Sequence, residues 1–261
     1  MGSTSLITSI PPSMSRFDAR GGEIGWAYQQ ACIESWKRAG FEPVSVNWKE
    51  EPFGHTVRMV PVSRNASAIT GRPHIYFADL LAVASLEAQG RPFALLNADL
   101  VLVSNTDLAA RVAQLRPGEL VFSRRLDIDQ PSQTSGIPWR YGYDFFAGHA
   151  NDLSGIADAG MVFGAPWWDH FFPLLMFIRG CRIHQTEPVA AHLKHADRWS
   201  WPVWETLGQR FVSEMETLAA DSIYSARLQD ALSKSDGDPY RMLNRVSDVN
   251  LLFLDAISRT A

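Results

Sequence analysis

An α/β fold built on a mostly parallel sheet is what this chain of 261 residues predicts. Three observations carry that expectation. Short apolar runs of strand length alternate with helix-period segments, beginning with strand, helix and strand inside about forty residues. Residues 93–96 are apolar at consecutive positions, as in a strand buried on both faces. That run is broken by Asn97, Ala98 and Asp99, which puts two oxygen-bearing side chains just beyond a strand's carboxyl end, where open α/β sheets bind ligands. An Asn and an Asp also cap strands and start turns, so the pair by itself is a weak signal.

The elements follow in order. Residues 5–10 read as a first strand, ended by Pro11 and Pro12. Over residues 23–39, Ile24, Ala27, Tyr28, Ala31, Cys32, Ser35 and Trp36 recur at helical spacing, and Gly40 stands where a C-cap belongs. Residues 43–47 and 57–62 read as strands, 63–72 as a polar loop, and 75–89 as a helix closed by Gly90. Beyond the central strand, 108–115 predicts a short helix and 118–122 a strand. Residues 124–139 are polar and aperiodic, which reads as a mobile loop over a site. Residues 143–147 and 159–164 look strand-like around a polar insert at 149–158, and 171–179 is a very apolar helix. Ile183 and Val189 flank a last edge strand. From Glu205 the sequence is amphipathic and helical, broken at 233–239. The expected organisation is an α/β body over residues 1–204 and a helical extension over 205–261, packed on that body or joining two copies as a homodimer.

Composition narrows the class. With 46% hydrophobic and 20% charged residues the chain is of globular type, and its net charge of −4 gives no electrostatic case for nucleic acid or an anionic membrane. Cys32 and Cys181 are far apart and outside any C-x-x-C pattern, which fits a reduced, cytoplasmic setting. No signal pattern or long apolar run is present, so the expectation is a soluble protein, at most peripheral to the inner face of a membrane. Neither G-x-G-x-x-G nor G-x-x-x-x-G-K-[ST] occurs, which removes a Rossmann dinucleotide site and a Walker loop. The tryptophans crowd the second half, at 139, 167, 168, 199, 201 and 204, and flat aromatic faces suit sugar rings and bases as well as cores.

Further groups have the chemistry of a site. Thr8, Ser9, Ile10 and Arg16 follow the first strand with hydroxyls and one guanidinium, suited to a nucleotide base or phosphate. Arg72 precedes the helix that leads to the central strand and is a second phosphate candidate. Trp167, Trp168 and Asp169 sit near a helix start. Successive helical side chains point about 100° apart, so both rings cannot enter one core face, and one of them is expected to line a cleft beside Asp169. His192 and His195, three apart, would share a face of a helix and could complete an oxygen-rich metal site; no H-E-x-x-H accompanies them.

In this order the features resemble the nucleotide-diphospho-sugar transferase fold of GT-A glycosyltransferases, in particular bacterial members associated with polysaccharide genes. The resemblance covers about residues 5–204, through the 97–99 motif, residues 142–146, residues 161–169 and the late histidines. It implies a GT-A-like, Rossmann-type sheet flanked by helices. It also implies a divalent metal, Mn2+ or Mg2+, held at Asn97 and Asp99 with His192 or His195, against the pyrophosphate of a nucleoside-diphosphate sugar. The first acid of the family's Asp-x-Asp is an amide here, which removes a charge and weakens metal affinity. The same resemblance places Asp144 and the tryptophans towards substrate, and makes Asp169 the base of an inverting transfer to a glycan or lipid-linked glycan. A retaining transferase and a catalytically silent nucleotide-sugar or carbohydrate-binding module are the alternatives. Nucleotidyltransferases of related fold use a Gly- and Arg/Lys-rich loop after the first strand, which residues 10–13 do not form.

Overall fold

The computed structural model describes residues 3–18, 20–103, 107–195 and 199–258. In chain order its elements are β1 (Thr4–Thr8), α1 (Gly25–Arg38), β2 (Phe41–Trp48), β3 (Arg58–Val62), α2 (Ser67–Thr70), α3 (Phe77–Ala88), β4 (Pro92–Leu96) and β5 (Leu100–Leu102). They continue with α4 (Leu108–Val112), β6 (Glu119–Ile128), β7 (Ile137–Pro138), β8 (Phe145–His149), α5 (Trp168–Ile178) and β9 (Arg182–Leu193). Three helices close the chain: α6 (Trp201–Leu218), α7 (Ile223–Ser233) and α8 (Pro239–Ser258).

One sheet runs in the order β3-β2-β1-β4-β8-β6-β9-β5, with β7 paired to β6. Strands β3, β2, β1, β4, β6 and β9 point one way, and β8 and β5 run against them. This is the mostly parallel, helix-flanked α/β sheet that the sequence predicts. The pleat sorts the apolar runs between two cores, because successive side chains leave opposite faces. Ile7, Phe93, Leu95 and Phe146 join a cluster under α3, α5 and the C-terminal helices, while Leu6, Ala94, Leu96, Phe145 and Ala147 join one under α1 and α4. Burial on both faces is why these strands read as continuous apolar runs.

Several local expectations change. Residues 124–139 are a hairpin: β6 extends to Ile128, and β7 turns back on it at Leu126 and Asp127. Residues 159–164 form no strand of the sheet; Val162 makes a single bridge with Tyr76 along the start of α3. Strand β9 is longer than expected and internal, because the short β5 covers its far edge. His192 is therefore at the end of a strand and not on a helix.

The two tryptophans also differ from expectation. Trp167 and Trp168 are both buried, 4% and 2% exposed, so neither lines a cleft. Adjacent helical positions do diverge, but α5 is packed on two sides. Trp168 meets Phe77, Phe146 and Phe163 over the sheet, while Trp167 meets Trp204 and Phe211 of α6 and donates its indole N–H to the Trp204 carbonyl at 2.9 Å. The C-terminal helices supply that second side, and Leu207, Phe211, Met215, Leu243, Val246 and Leu254 belong to the same cluster as the sheet residues.

Trp168→Ala should lower the unfolding free energy by about 3–5 kcal/mol, the usual cost of emptying a large aromatic site, read as a shift of the urea midpoint.

Candidate functional site at the carboxyl edge of the sheet

Polar side chains gather where β1, β4, β6 and β9 end and where β8 begins. The turn after β4 is held from α1. Gln29 donates its amide to the Ala98 carbonyl at 2.7 Å, and the Tyr28 hydroxyl donates to the Asp99 carbonyl at 3.1 Å. The same hydroxyl accepts the Leu193 N–H at 2.9 Å. One phenol thus ties the Asn97–Asp99 turn to the end of β9, the strand that carries His192. Burial pushes the Tyr28 hydroxyl well above its ordinary pKa, so it stays protonated and able to bridge.

The consequence is convergence. Asp99 Oδ2 lies 3.2 Å from His192 Nε2 and 3.7 Å from His195 Nε2. One ligand atom from each of the three residues lies within 4.8 Å of the others. Arg16 Nη2 meets the same carboxylate oxygen at 2.5 Å. Burial pushes the Asp99 carboxyl up, but His192, His195 and Arg16 outweigh it and hold the group well below the usual carboxylate range. His192 is 7% exposed, with Asp99 at Nε2 and Asp127 Oδ1 3.3 Å from Nδ1. Burial would lower this imidazole, and the two carboxylates outweigh it and raise it.

Asn97 does not join this group through its amide nitrogen. Nδ2 donates to Asp144 Oδ1 at 2.7 Å, and Arg125 Nη1 donates to both Asp144 oxygens at 3.2 and 3.3 Å. Arg125 Nε also donates to Asp127 at 2.9 Å. A continuous polar chain therefore runs Asn97–Asp144–Arg125–Asp127–His192–Asp99–Arg16. Asp144, expected towards substrate, is 4% exposed, and both of its oxygens are paired within this chain. Arg125 and Asp127 were missed in the sequence because 124–139 read as a loop. The alternation of Arg125 and Asp127 with Leu126 and Ile128 was the available signal.

Asp169, in the first turn of α5, accepts the Tyr143 N–H at 3.1 Å. The helix N-terminus favours its charge, but burial first, and then Asp144, raise its pKa against the stabilising Tyr143 N–H bond. Gly142 allows this approach: a Cβ there would lie 2.2 Å from Asp169 Oδ2. Pro173, one turn on, has no N–H to give the Asp169 carbonyl. The neighbouring His170 is held by the C-terminal helices. Its Nε2 lies 3.1 Å from the Tyr141 carbonyl, which accepts only, so Nε2 carries the proton. Nδ1 then accepts from Asn250, whose Oδ1 accepts the Tyr224 hydroxyl. Asp255 of α8 likewise pairs with Arg124 through both oxygens and accepts the Tyr143 hydroxyl at 3.1 Å.

The remaining candidates divide. Thr8 is buried, and its Oγ1, like Arg16 Nε, lacks a hydrogen-bond partner among the described residues. Ser9 is half-buried at the end of β1. Ile10 is core material: its side chain is fully buried, its N–H goes to Ser45 and its carbonyl accepts from Asn47. Ala98 has its carbonyl taken by Gln29, and Arg16 is engaged with Asp99. Arg72 lies exposed in the loop before α3.

No protein-family model matches the chain, and no curated protein matches it in sequence. Among solved structures it is similar to a nucleotidyl transferase from Methanothermobacter thermautotroptrophicus, at 15% identity and TM-score 0.42, over 72% of this chain and 88% of that one. A protein of Desulfovibrio desulfuricans G20 described as a nucleotide-diphospho-sugar transferase gives 8% identity and TM-score 0.44, over 97% and 99%. A Mycobacterium tuberculosis H37Rv protein in complex with manganese gives 13% and 0.38, over 79% and 98%. Among the described residues no helix is long and apolar enough to cross a membrane.

Tyr28→Phe should cost about 1–3 kcal/mol, since the Asp99 carbonyl and Leu193 N–H would lose a buried partner; chemical denaturation of the variant measures it.

Proposed function

We propose that the chain is a metal-assisted transferase that moves a sugar from a nucleoside-diphosphate donor to a hydroxyl of a glycan or lipid-linked glycan. The observation that carries this reading is the convergence of Asp99, His192 and His195 at the carboxyl edge of the central strand. The donor set fits a divalent ion. Asp127 at Nδ1 orients His192 with Nε2 towards Asp99, the usual support for a metal-bound imidazole. Two imidazoles with one carboxylate suit Mn2+ or a neighbouring transition metal better than Mg2+, which prefers oxygen. When bound, such an ion stabilises the charge that develops on a departing diphosphate.

The chain's own residues supply the rest. Arg16, whose Nε has no hydrogen-bond partner among the described residues, would turn its guanidinium towards a phosphate, and Thr8 and Ser9 line the β1 end where a nucleotide would lie. Asp169 takes the proton of the acceptor hydroxyl as that oxygen bonds to the anomeric carbon. The bond from that carbon to the phosphate oxygen breaks, and its electron pair leaves on the nucleoside diphosphate. Attack opposite the leaving group inverts the anomeric centre.

A second reading is supported by the 2.5 Å contact of Arg16 with Asp99, in which the guanidinium is itself the cation beside the diphosphate and no metal is needed. Thermal-shift titration with UDP and GDP, with and without Mn2+, separates the two. The metal-assisted reading expects stabilisation that requires Mn2+ and is lost in Asp99→Ala and His192→Ala. Metal-independent stabilisation that is lost in Arg16→Ala selects the second, and no nucleotide response at all rejects both.

Asp169→Asn should cut transfer about 10²–10⁴-fold while nucleotide binding persists. In the wild type, transfer should fall as pH drops through the raised Asp169 pKa. The acidic limb of the kcat/KM profile should therefore lie above the ordinary aspartate value of about 3.9. A profile flat across that region, or loss of nucleotide binding in Asp169→Asn, would remove Asp169 from the role of base.

A further inference from the structure

A cleft lies away from the polar chain. It has a volume of about 490 Å3 and is formed where α6 and α8 begin, lined by Trp201, Glu205, Asp238, Pro239 and Tyr240. Trp201 is 39% exposed and Tyr240 59%. Their centroids are 4.9 Å apart with the planes tilted by 50°. Trp201 is backed by Trp204 at 4.9 Å, and Trp204 by the buried Trp167 at 4.9 Å. The exposed pair is thus the outer end of an aromatic run rooted in the core, and its inner end caps α5, the helix that carries Asp169.

We propose that this cleft is a subsite for a pyranose ring of a glycan; that the glycan is the acceptor rests on the transferase reading above. A pyranose offers an apolar C–H face and a rim of hydroxyl donors. The tilted Trp201–Tyr240 surface matches the face, and the rim meets Glu205 and Asp238, which as carboxylates only accept. Both acids keep acceptor capacity. Glu205 Oε1 takes a 3.4 Å contact from Gln209, and Asp238 caps α8 through Oδ1 at 2.9 Å from the Tyr240 N–H, with Arg241 Nε 3.5 Å from Oδ2.

The same residue types could be read as a cage for a quaternary ammonium, but geometry opposes it. A cage sets ring faces around a cation, whereas the centroids of these rings are 4.9 Å apart, too close for a cation to sit between them.

The full chain, applied to a broad array of bacterial and plant oligosaccharides and followed by tryptophan-fluorescence titration with those retained, tests this. The expected result is saturable binding that Tyr240→Ala weakens about tenfold, that Glu205→Gln also weakens, and that Asp99→Ala leaves unchanged. An unaltered melting temperature in Tyr240→Ala, which removes a ring already exposed, shows that the loss is local. Retention of no glycan, retention indifferent to Tyr240→Ala and Glu205→Gln, or a saturable response to choline in place of sugar overturns the proposal. Nucleotide binding is scored in parallel. If it persists while no glycan is retained, the cleft assignment alone falls; if it is absent while glycan binding follows Tyr240, the transferase reading alone falls.

Discussion

The Tyr28 hydroxyl is the interaction on which the site depends. It donates to the turn after β4 and accepts from the end of β9, two segments that no local rule would bring together. Asp99 and Leu193 are 94 positions apart in the chain (193 − 99), and the phenol that joins their backbones comes from α1, on the face of the sheet covered by the second core. Because Tyr28 is buried to 2% exposure, the bridge is shielded from competition by water. Asp99, His192 and His195 meet because these backbones are held, and the rest of the polar chain extends outward from that meeting point.

The outward chain explains why so many charges can share a small region. Acids and bases alternate along it, so each carboxylate except Asp169 is set against a guanidinium or an imidazole, and its burial is offset by pairing. Asp169 differs. It has a backbone N–H and a helix terminus but no partnering guanidinium among the described residues, and Asp144 stands nearby with both oxygens already engaged. Its raised pKa is the electrostatic result.

The C-terminal helices belong to this arrangement as much as to the core. Trp167 is buried because α6 lies over it, His170 is fixed in one tautomer by Asn250, and Tyr143 and Arg124 are pinned by Asp255. The amphipathic pattern after Glu205 announced helices with one apolar face, but it did not say that this face would meet α5. The mistaken expectation for the tryptophans follows from that gap. Helical geometry correctly sends adjacent rings in different directions, and only the presence of a second packing surface decides that both directions lead inward.

What the sequence determined by itself is the part set by short-range periodicity: the α/β class, the central strand at 93–96, the long helices and the placing of Asn97 and Asp99 at a carboxyl edge. Period-2 and period-3.6 patterns report on a residue's immediate surroundings, and burial on two faces leaves an unbroken apolar run. The tertiary structure alone decided which distant side chains share charge. It joined Asp99 to His192, His195 and Arg16, turned Asn97 towards Asp144, and recruited Arg125 and Asp127 from a stretch that reads as a loop because its strand, paired with β9, alternates charged and apolar residues. Coulombic and hydrogen-bonding partners are chosen by proximity in space, and strand order, which sets that proximity, is encoded in the summed packing of the whole chain and in no single stretch of it.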